Sequence, residues 1–243
     1  MSENRDPRLV VDSSICGTNS SCFVREHQAL PTAKDILRTF PLRDNEHELG
    51  GFSIDVKAAH KRVVIKDSER GLLGFSHDGQ LYFYRVAPFG AIFSADWWGH
   101  IGAFLVRFLH LAKYIKHALW LYGDNFLMSQ RVDVLPLTAA YISILLQLFA
   151  LPISWKKCIL AKEVTWIGWC FNFSLGTASL DPQKRSKLLR LIQTLESQKH
   201  IHKRDIERFL GLAMWVTQLF QGMRPLLQYF YADLFSAPAS LQH

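Results

Sequence analysis

The chain is short of cysteine, of repeats and, over one long stretch, of any charge. Its four cysteines, Cys16, Cys22, Cys158 and Cys170, form no CxxC pair and meet no histidine at a zinc-finger offset. That spacing argues against a structural metal site or a disulfide framework, and reduced thiols of the cytosol or nucleus fit it better. Met1 to Arg8 alternates acid and base with no apolar core, so it does not read as a secretory signal. No low-complexity tract or flexible linker breaks the 243 residues, which predicts one continuous compact unit. From Val134 to Trp155 there is no charged side chain, a length that could span a bilayer. However, Pro136 in its first turn and Pro152 past its end leave only about 15 residues of clean helix. Thr138, Ser143 and Gln147 interrupt it further. A buried helix is the expected reading, with no membrane partner.

What is present is an ordinary globular composition, 49% hydrophobic and 20% charged. Basic residues exceed acidic ones, for a net charge of +7, which favours a polyanionic partner. Leu9–Val11, Gly51–Asp55, Val63–Ile65 and Gln80–Val86 read as strands, with His77-Asp78-Gly79 marking a hairpin turn. Thr32 caps a short helix after Pro31. A longer helix starts from Ser94 or Asp96 and carries Trp97, Ile101, Phe104, Leu105 and Phe108 as its apolar stripe. Leu119 to Met128 reads as a hairpin broken at Gly123-Asp124-Asn125, and further strands fall around Thr165–Phe173. Two helices follow, Gln183–Gln198 and Arg204–Phe220, the second burying Ile206, Phe209, Leu210, Ala213 and Met214. The intermixed order predicts an α+β fold with an antiparallel sheet backed by helices.

Two carboxylates stand out. Asp55 ends an apolar strand and Asp124 sits at the tip of an apolar hairpin. An Asp in either place is usually turn chemistry. On adjacent strands of one sheet, however, the pair could hold the Mg²⁺ that two-metal phosphoryl transfer needs.

The order of segments sharpens that reading. Ser53-Ile54-Asp55-Val56-Lys57-Ala58-Ala59-His60, Ala87-Pro88-Phe89-Gly90-Ala91-Ile92-Phe93-Ser94-Ala95 and Leu121-Tyr122-Gly123-Asp124-Asn125-Phe126 resemble motifs A, B and C of reverse transcriptases. Leu151-Pro152-Ile153-Ser154-Trp155-Lys156-Lys157-Cys158 is similar to motif D, and Trp166-Ile167-Gly168-Trp169 to motif E, the primer grip. Arg8-Leu9-Val10-Val11-Asp12 resembles the fingers motif that meets incoming nucleotide, and Ile206 to Phe220 the first part of a thumb. The resemblance covers nearly the whole chain. The Pro-Phe-Gly form of motif B points to retroelements of the long-terminal-repeat or DIRS type.

What the resemblance implies is a right-hand polymerase: residues 1–30 and 63–93 as fingers, 31–62 and 94–173 as palm, 174–243 as a partial thumb. Asp55 and Asp124 would hold two Mg²⁺ (or Mn²⁺) ions, and Arg8 would grip the triphosphate. Ala59 and His60 would meet the sugar, with His60 excluding a 2′-hydroxyl, while Phe89 and Gly90 would pack near the nascent base pair. Lys157, with Lys156 as its rival, would protonate pyrophosphate. Lys184, Arg185, Lys187, Lys203 and Arg204 would contact backbone phosphates. The implied partners are dNTPs and a primed RNA or DNA template, in cytoplasm or nucleus. No RNase H, integrase or recombinase segment accompanies the polymerase motifs, so the chain is expected to be part of a larger polyprotein or a shortened relic. One position departs from the pattern: motif C of the family is Tyr-x-Asp-Asp, and here Asn125 replaces the second acid. The amide oxygen can still orient a metal-bound water, but one negative charge is gone. Two readings therefore stay open: a working reverse transcriptase, and a catalytically degenerate relic serving as a nucleic-acid-binding or interaction module.

Overall fold

A computed structural model describes residues 12–24, 28–40, 47–112, 116–198 and 201–236. In chain order its elements are α1 (Thr18–Ser21), α2 (Ala33–Leu37), β1 (Leu49–Asp55), β2 (Gly74–His77), β3 (Gln80–Phe83), α3 (Ile92–Leu111), β4 (Ala118–Tyr122), β5 (Asn125–Arg131) and α4 (Leu135–Leu148). After them come β6 (Ile159–Ala161), β7 (Glu163–Trp166), β8 (Trp169–Asn172), β9 (Thr177–Leu180), α5 (Pro182–Ser197), α6 (Lys203–Val216) and α7 (Gln228–Ser236). Where the sequence predicted one continuous unit, the chain forms two. The first takes the residues up to Leu30 with Gly51–Leu160, and the second Pro31–Gly50 with Ala161 onward. The division escapes a sequence scan because no linker marks it: α2 and its flanks leave the first unit and pack with β9 of the second.

In the first unit the sheet runs β4-β5-β1-β6. Strands β4 and β5 pair antiparallel, with Leu119 opposite Met128 and Tyr122 opposite Asn125, so the turn between them is the two residues Gly123-Asp124. Strand β1 was expected to be half buried, yet every residue from Gly50 to Asp55 is buried. It lies between β5 and β6, and a central strand is covered on both edges. Phe52, Ile54 and Val56 meet Trp98, Leu105 and Leu109 of α3 and Leu135, Ile142 and Leu146 of α4 in one core.

Helix α3 departs from the predicted stripe. It starts at Ile92 with Ala91 as its cap position, and its buried residues are Ser94, Trp98, Gly102, Leu105 and Leu109. Trp97 is 57% exposed and Phe104 54%. The inward line is rotated from the predicted one because Gly102, which a hydrophobic count ignores, faces the sheet. A Cβ there would lie 2.5 Å from Leu121 Cδ2, so any larger residue would make the Leu121 side chain turn aside. The predicted strand at Val63–Ile65 is reduced to a single bridge between Val64 and Val86, since 3-10 turns at Ala59–Arg62 and Asp67–Leu72 confine it. Strand β3 stops at Phe83, and its hairpin with β2 turns on Asp78 and Gly79 at φ 51° and 74°, the positive pair of a type I′ turn. Leu9–Val11 lies outside the described residues.

The second unit holds an antiparallel sheet β7-β8-β9 and a helical cluster in which Phe209, Leu210, Ala213 and Leu227 are buried. Helix α2 carries a complete capping box, with the Thr32 N–H donating to Asp35 Oδ2 at 2.8 Å. The predicted pair of closing helices is present as α5 and α6. Strand β9 and helix α7 are additions that polar or irregular sequence concealed. Among the described residues no helix is long and apolar enough to cross a membrane. The whole is α+β.

Candidate active site

The register of the first sheet brings motifs A and C together. Asp55 is the last residue of β1, and the next N–H, that of Val56, donates to the Asp124 carbonyl at 2.8 Å. The Asp55 carbonyl accepts the Ser154 N–H at 2.9 Å, which ties the segment before Lys157 to the same strand end. Ser53 and Asp55 are two apart on a strand and so share a face. Ser53 Oγ donates to Asn125 Oδ1 at 3.1 Å, placing the Asn125 side chain on that face as well. Asp124 sits in the tight turn with Gly123 at φ 59°, as a type II′ turn needs at its first central residue. The Trp98 indole N–H donates to the Gly123 carbonyl at 2.8 Å and holds the turn against α3.

Lys157 Nζ donates to Asp55 Oδ2 at 3.0 Å, so Lys157, of the two motif D lysines, is the one on the carboxylate. Burial pushes the Asp124 carboxyl above the usual carboxylate range, and the charge of Asp55 pushes the same way; Lys157 and His60 pull back in smaller measure. Asp55, Asp124, Lys157 and His60 thus share one electrostatic site. Two carboxylates crowded with only one lysine on them form a site with surplus negative charge, which suits a divalent cation. Among the described residues no cluster of three or more acid, His or Cys side chains forms. That still fits Mg²⁺, which is commonly held by one or two carboxylates plus water and substrate phosphates.

On the next segment Ala58 takes φ 54° and Ala59 is buried. His60 Nδ1 meets the Ser94 carbonyl at 3.0 Å and its ring stands edge-on to Phe89 at 5.6 Å between centroids. The turn carrying Gly90, at φ 94°, is clamped by a residue that the motif reading passed over. Asn19 Nδ2 donates to the Gly90 carbonyl at 3.0 Å, and Asn19 Oδ1 accepts the Ile92 N–H at 3.0 Å. Nothing local to Gly17–Ser21 signals this role, because both partners lie more than seventy residues away.

The primer-grip and phosphate-binding candidates lie in the second unit. Trp166 and Trp169 pair across a turn whose central residues, Ile167 and Gly168, have φ 44° and 84°. Lys184 lies against that turn: a Cβ on Gly168 would stand 2.1 Å from Lys184 Nζ. The same ammonium sits 4.2 Å from the centroid of the Trp215 ring, and burial lowers its pKa. Arg185, Lys187, Lys203 and Arg204 are exposed. Lys184 therefore differs from the other four in being used within the fold. Arg8 lies outside the described residues.

No family model matches the chain, and no curated protein matches it in sequence. Solved structures do match. The foamy viral protease-reverse transcriptase dRH in complex with double-stranded DNA aligns over 95% of this chain and 37% of its own, at 16% identity and TM-score 0.69. The foamy viral protease-reverse transcriptase with an RNA/DNA hybrid aligns over 78% of this chain and 24% of its own, at 17% identity and TM-score 0.60. Its complex with double-stranded DNA gives 82% and 38%, 17% identity and TM-score 0.54. The chain thus spans roughly a quarter to two fifths of these proteins' length. At such identities the likeness fixes the fold, which is that of a reverse-transcriptase polymerase region.

Proposed function

We propose that the chain is the polymerase region of a retroelement reverse transcriptase, of the long-terminal-repeat or DIRS type, extending a primer on an RNA or DNA template from dNTPs. The observation that carries this is the meeting of Asp55, Asp124, Asn125 and Lys157 at one strand end, from three motifs up to about a hundred residues apart, within a reverse-transcriptase fold.

Asp55 and Asp124 would hold Mg²⁺, which when bound supplies charge neutralisation at the triphosphate and acidity at the primer 3′-hydroxyl. Lys157, which donates to Asp55, would release that carboxylate and give a proton from Nζ to the leaving pyrophosphate. His60, held at Nδ1 by Ser94 and packed on Phe89, would meet the sugar and exclude a 2′-hydroxyl. Gly90 leaves the base pair free of a side chain. Fingers at 1–30 and 63–93, palm at 31–62 and 94–173, and a partial thumb from 174 belong to the same proposal, as do the phosphate contacts of α5 and α6.

Asn125 favours a second reading, the degenerate module that still binds nucleic acid. The deciding experiment is primer extension by the parent and Asn125→Asp in Mg²⁺ and in Mn²⁺. An Asp at this position accepts the same Ser53 hydrogen bond and fills nearly the same volume. Restoring the charge is expected to raise the Mg²⁺-dependent rate by about 10²–10³, the worth of one positioned electrostatic contact. Mn²⁺ is expected to narrow the gap. Silence of both proteins in both metals, with primer–template still bound, would establish the module instead.

A further inference from the structure

A pocket of about 370 Å³ opens in the first unit between the 3-10 turn Ala59–Arg62, α3 and the end of α4. Its walls are apolar. Leu105 of α3 and Leu151 beyond α4 are buried, while Phe104 and Phe149, edge-on to one another at 6.1 Å, are open to solvent. Lys61 and Arg62 line the same pocket and are both exposed. Among the described residues neither side chain takes part in an ion pair or a hydrogen bond, and no acid lines the pocket. A Lys or Arg beside a helix C-terminus commonly serves its last carbonyls. Here the carbonyls of Leu145, Leu146 and Gln147 already accept the N–H groups of Phe149, Leu151 and Ala150, at 3.1, 2.9 and 2.9 Å.

We propose that this pocket binds a medium-chain fatty acid, its chain against Phe104, Leu105, Phe149 and Leu151 and its carboxylate on Lys61 and Arg62. Charge selects the head group. Two neighbouring cations with no acid beside them repel one another, and a carboxylate relieves both; the guanidinium can grip it with two parallel N–H donors. The walls select the body. No hydroxyl, amide or acid side chain lines them, so a nucleobase or a sugar would enter with its polar edges unpartnered, at a cost an alkyl chain does not meet. Size selects a single chain. The volume lies near the lower end of the range of about 300–1,000 Å³ that small-molecule pockets span, which leaves no room for the two chains of a phospholipid. The lining does not include Asp55 or Asp124, so the proposal stands whether or not the chain extends a primer.

Isothermal titration of the full chain with decanoate, kept below the concentration at which it forms micelles, tests this directly. The parent is expected to take up one decanoate per chain and to bind decyltrimethylammonium about 10-fold more weakly. Lys61→Gln with Arg62→Gln is expected to lose about 10-fold in decanoate affinity, the worth of two solvent-exposed ion pairs. Phe104→Ala shortens an exposed wall without opening the core and is expected to weaken decanoate by a similar factor. Lys61→Glu with Arg62→Glu is expected to reverse the preference, taking decyltrimethylammonium over decanoate, which also shows that the variant folds. No saturable binding by the parent would overturn the proposal. So would decanoate binding unchanged in the double Gln variant or in Phe104→Ala, or a charge-reversed protein that still prefers decanoate. Uridine 5′-monophosphate displacing decanoate at equal concentration would overturn it too, and would mark a nucleotide site instead.

Discussion

Asp124 is a carboxyl whose ionisation the fold resists, by burial first and by the charge of Asp55 second. Its folded pKa is raised, so the native state holds the proton more tightly than the unfolded chain does. That contribution to stability is fully present below the unfolded value of about 3.9 and is lost as pH rises through the folded one. At neutral pH the parent therefore carries a penalty that Asp124→Asn removes. Thermal melts are expected to show the variant gaining Tm at pH 7 and gaining less at pH 3.5. Mg²⁺ held by Asp55 and Asp124, as proposed, would offset the same penalty, so it should raise the Tm of the parent and leave Asp124→Asn nearly unmoved. An equal rise in both would place the ion elsewhere. His60 is the neighbouring case. Its Nδ1 bond to Ser94 and its contact with Phe89 are those of a packed histidine, and under the proposed function the same ring would meet the sugar. His60→Ala is expected to raise ribonucleotide incorporation relative to deoxyribonucleotide; equal loss of both would mark a packing role alone.

Among the elements, α3 packs on β4 at Gly102, where a Cβ would meet the Leu121 side chain. Gly102→Ala gains helix propensity, by up to about 1 kcal/mol, yet overpacks the contact, at about 1–3 kcal/mol. The overpacking is the larger, so urea unfolding should give a lower midpoint; an unchanged midpoint would mean that Leu121 has room to turn. The same position explains what could be read in the chain beforehand. The hairpins at Asp78-Gly79 and Gly123-Asp124, the Thr32 cap and the proline-bounded α4 were legible because each is written in adjacent residues. The face of α3 was not, since Trp97 and Trp98 are equally apolar and a glycine, invisible to a hydrophobic count, chose between them. Strand β9, Thr-Ala-Ser-Leu, has too little apolar character to announce itself. At the site, motif order located the carboxylates and Lys157, but the partners that hold them, Ser53 on Asn125, Trp98 on Gly123 and Asn19 on Gly90, are tertiary contacts with no local signature.

Among the five basic residues of α5 and α6 proposed to meet phosphates, four are exposed and Lys184 alone is used within the fold. Arg185 and Lys187 stand in the open, and replacing both by Ala is expected to flatten the slope of log K against log [salt] for a primer–template duplex by about 2 units. Lys184→Ala should change that slope less and lower Tm, because its ammonium is spent on Trp215 and the Gly168 turn. An unchanged slope in the double variant would leave those charges merely hydrated. The Asn19 clamp bears on the order in which the chain assembles. Its bond to Gly90 closes a loop of 71 residues, and so long a closure costs more chain entropy than the two-residue turn of the β2–β3 hairpin within it. That hairpin can form while the early segment is still searching. The Gly90 turn is therefore among the last parts of the first unit to set, and a chain released from the ribosome acquires that hairpin before the clamp on the turn closes.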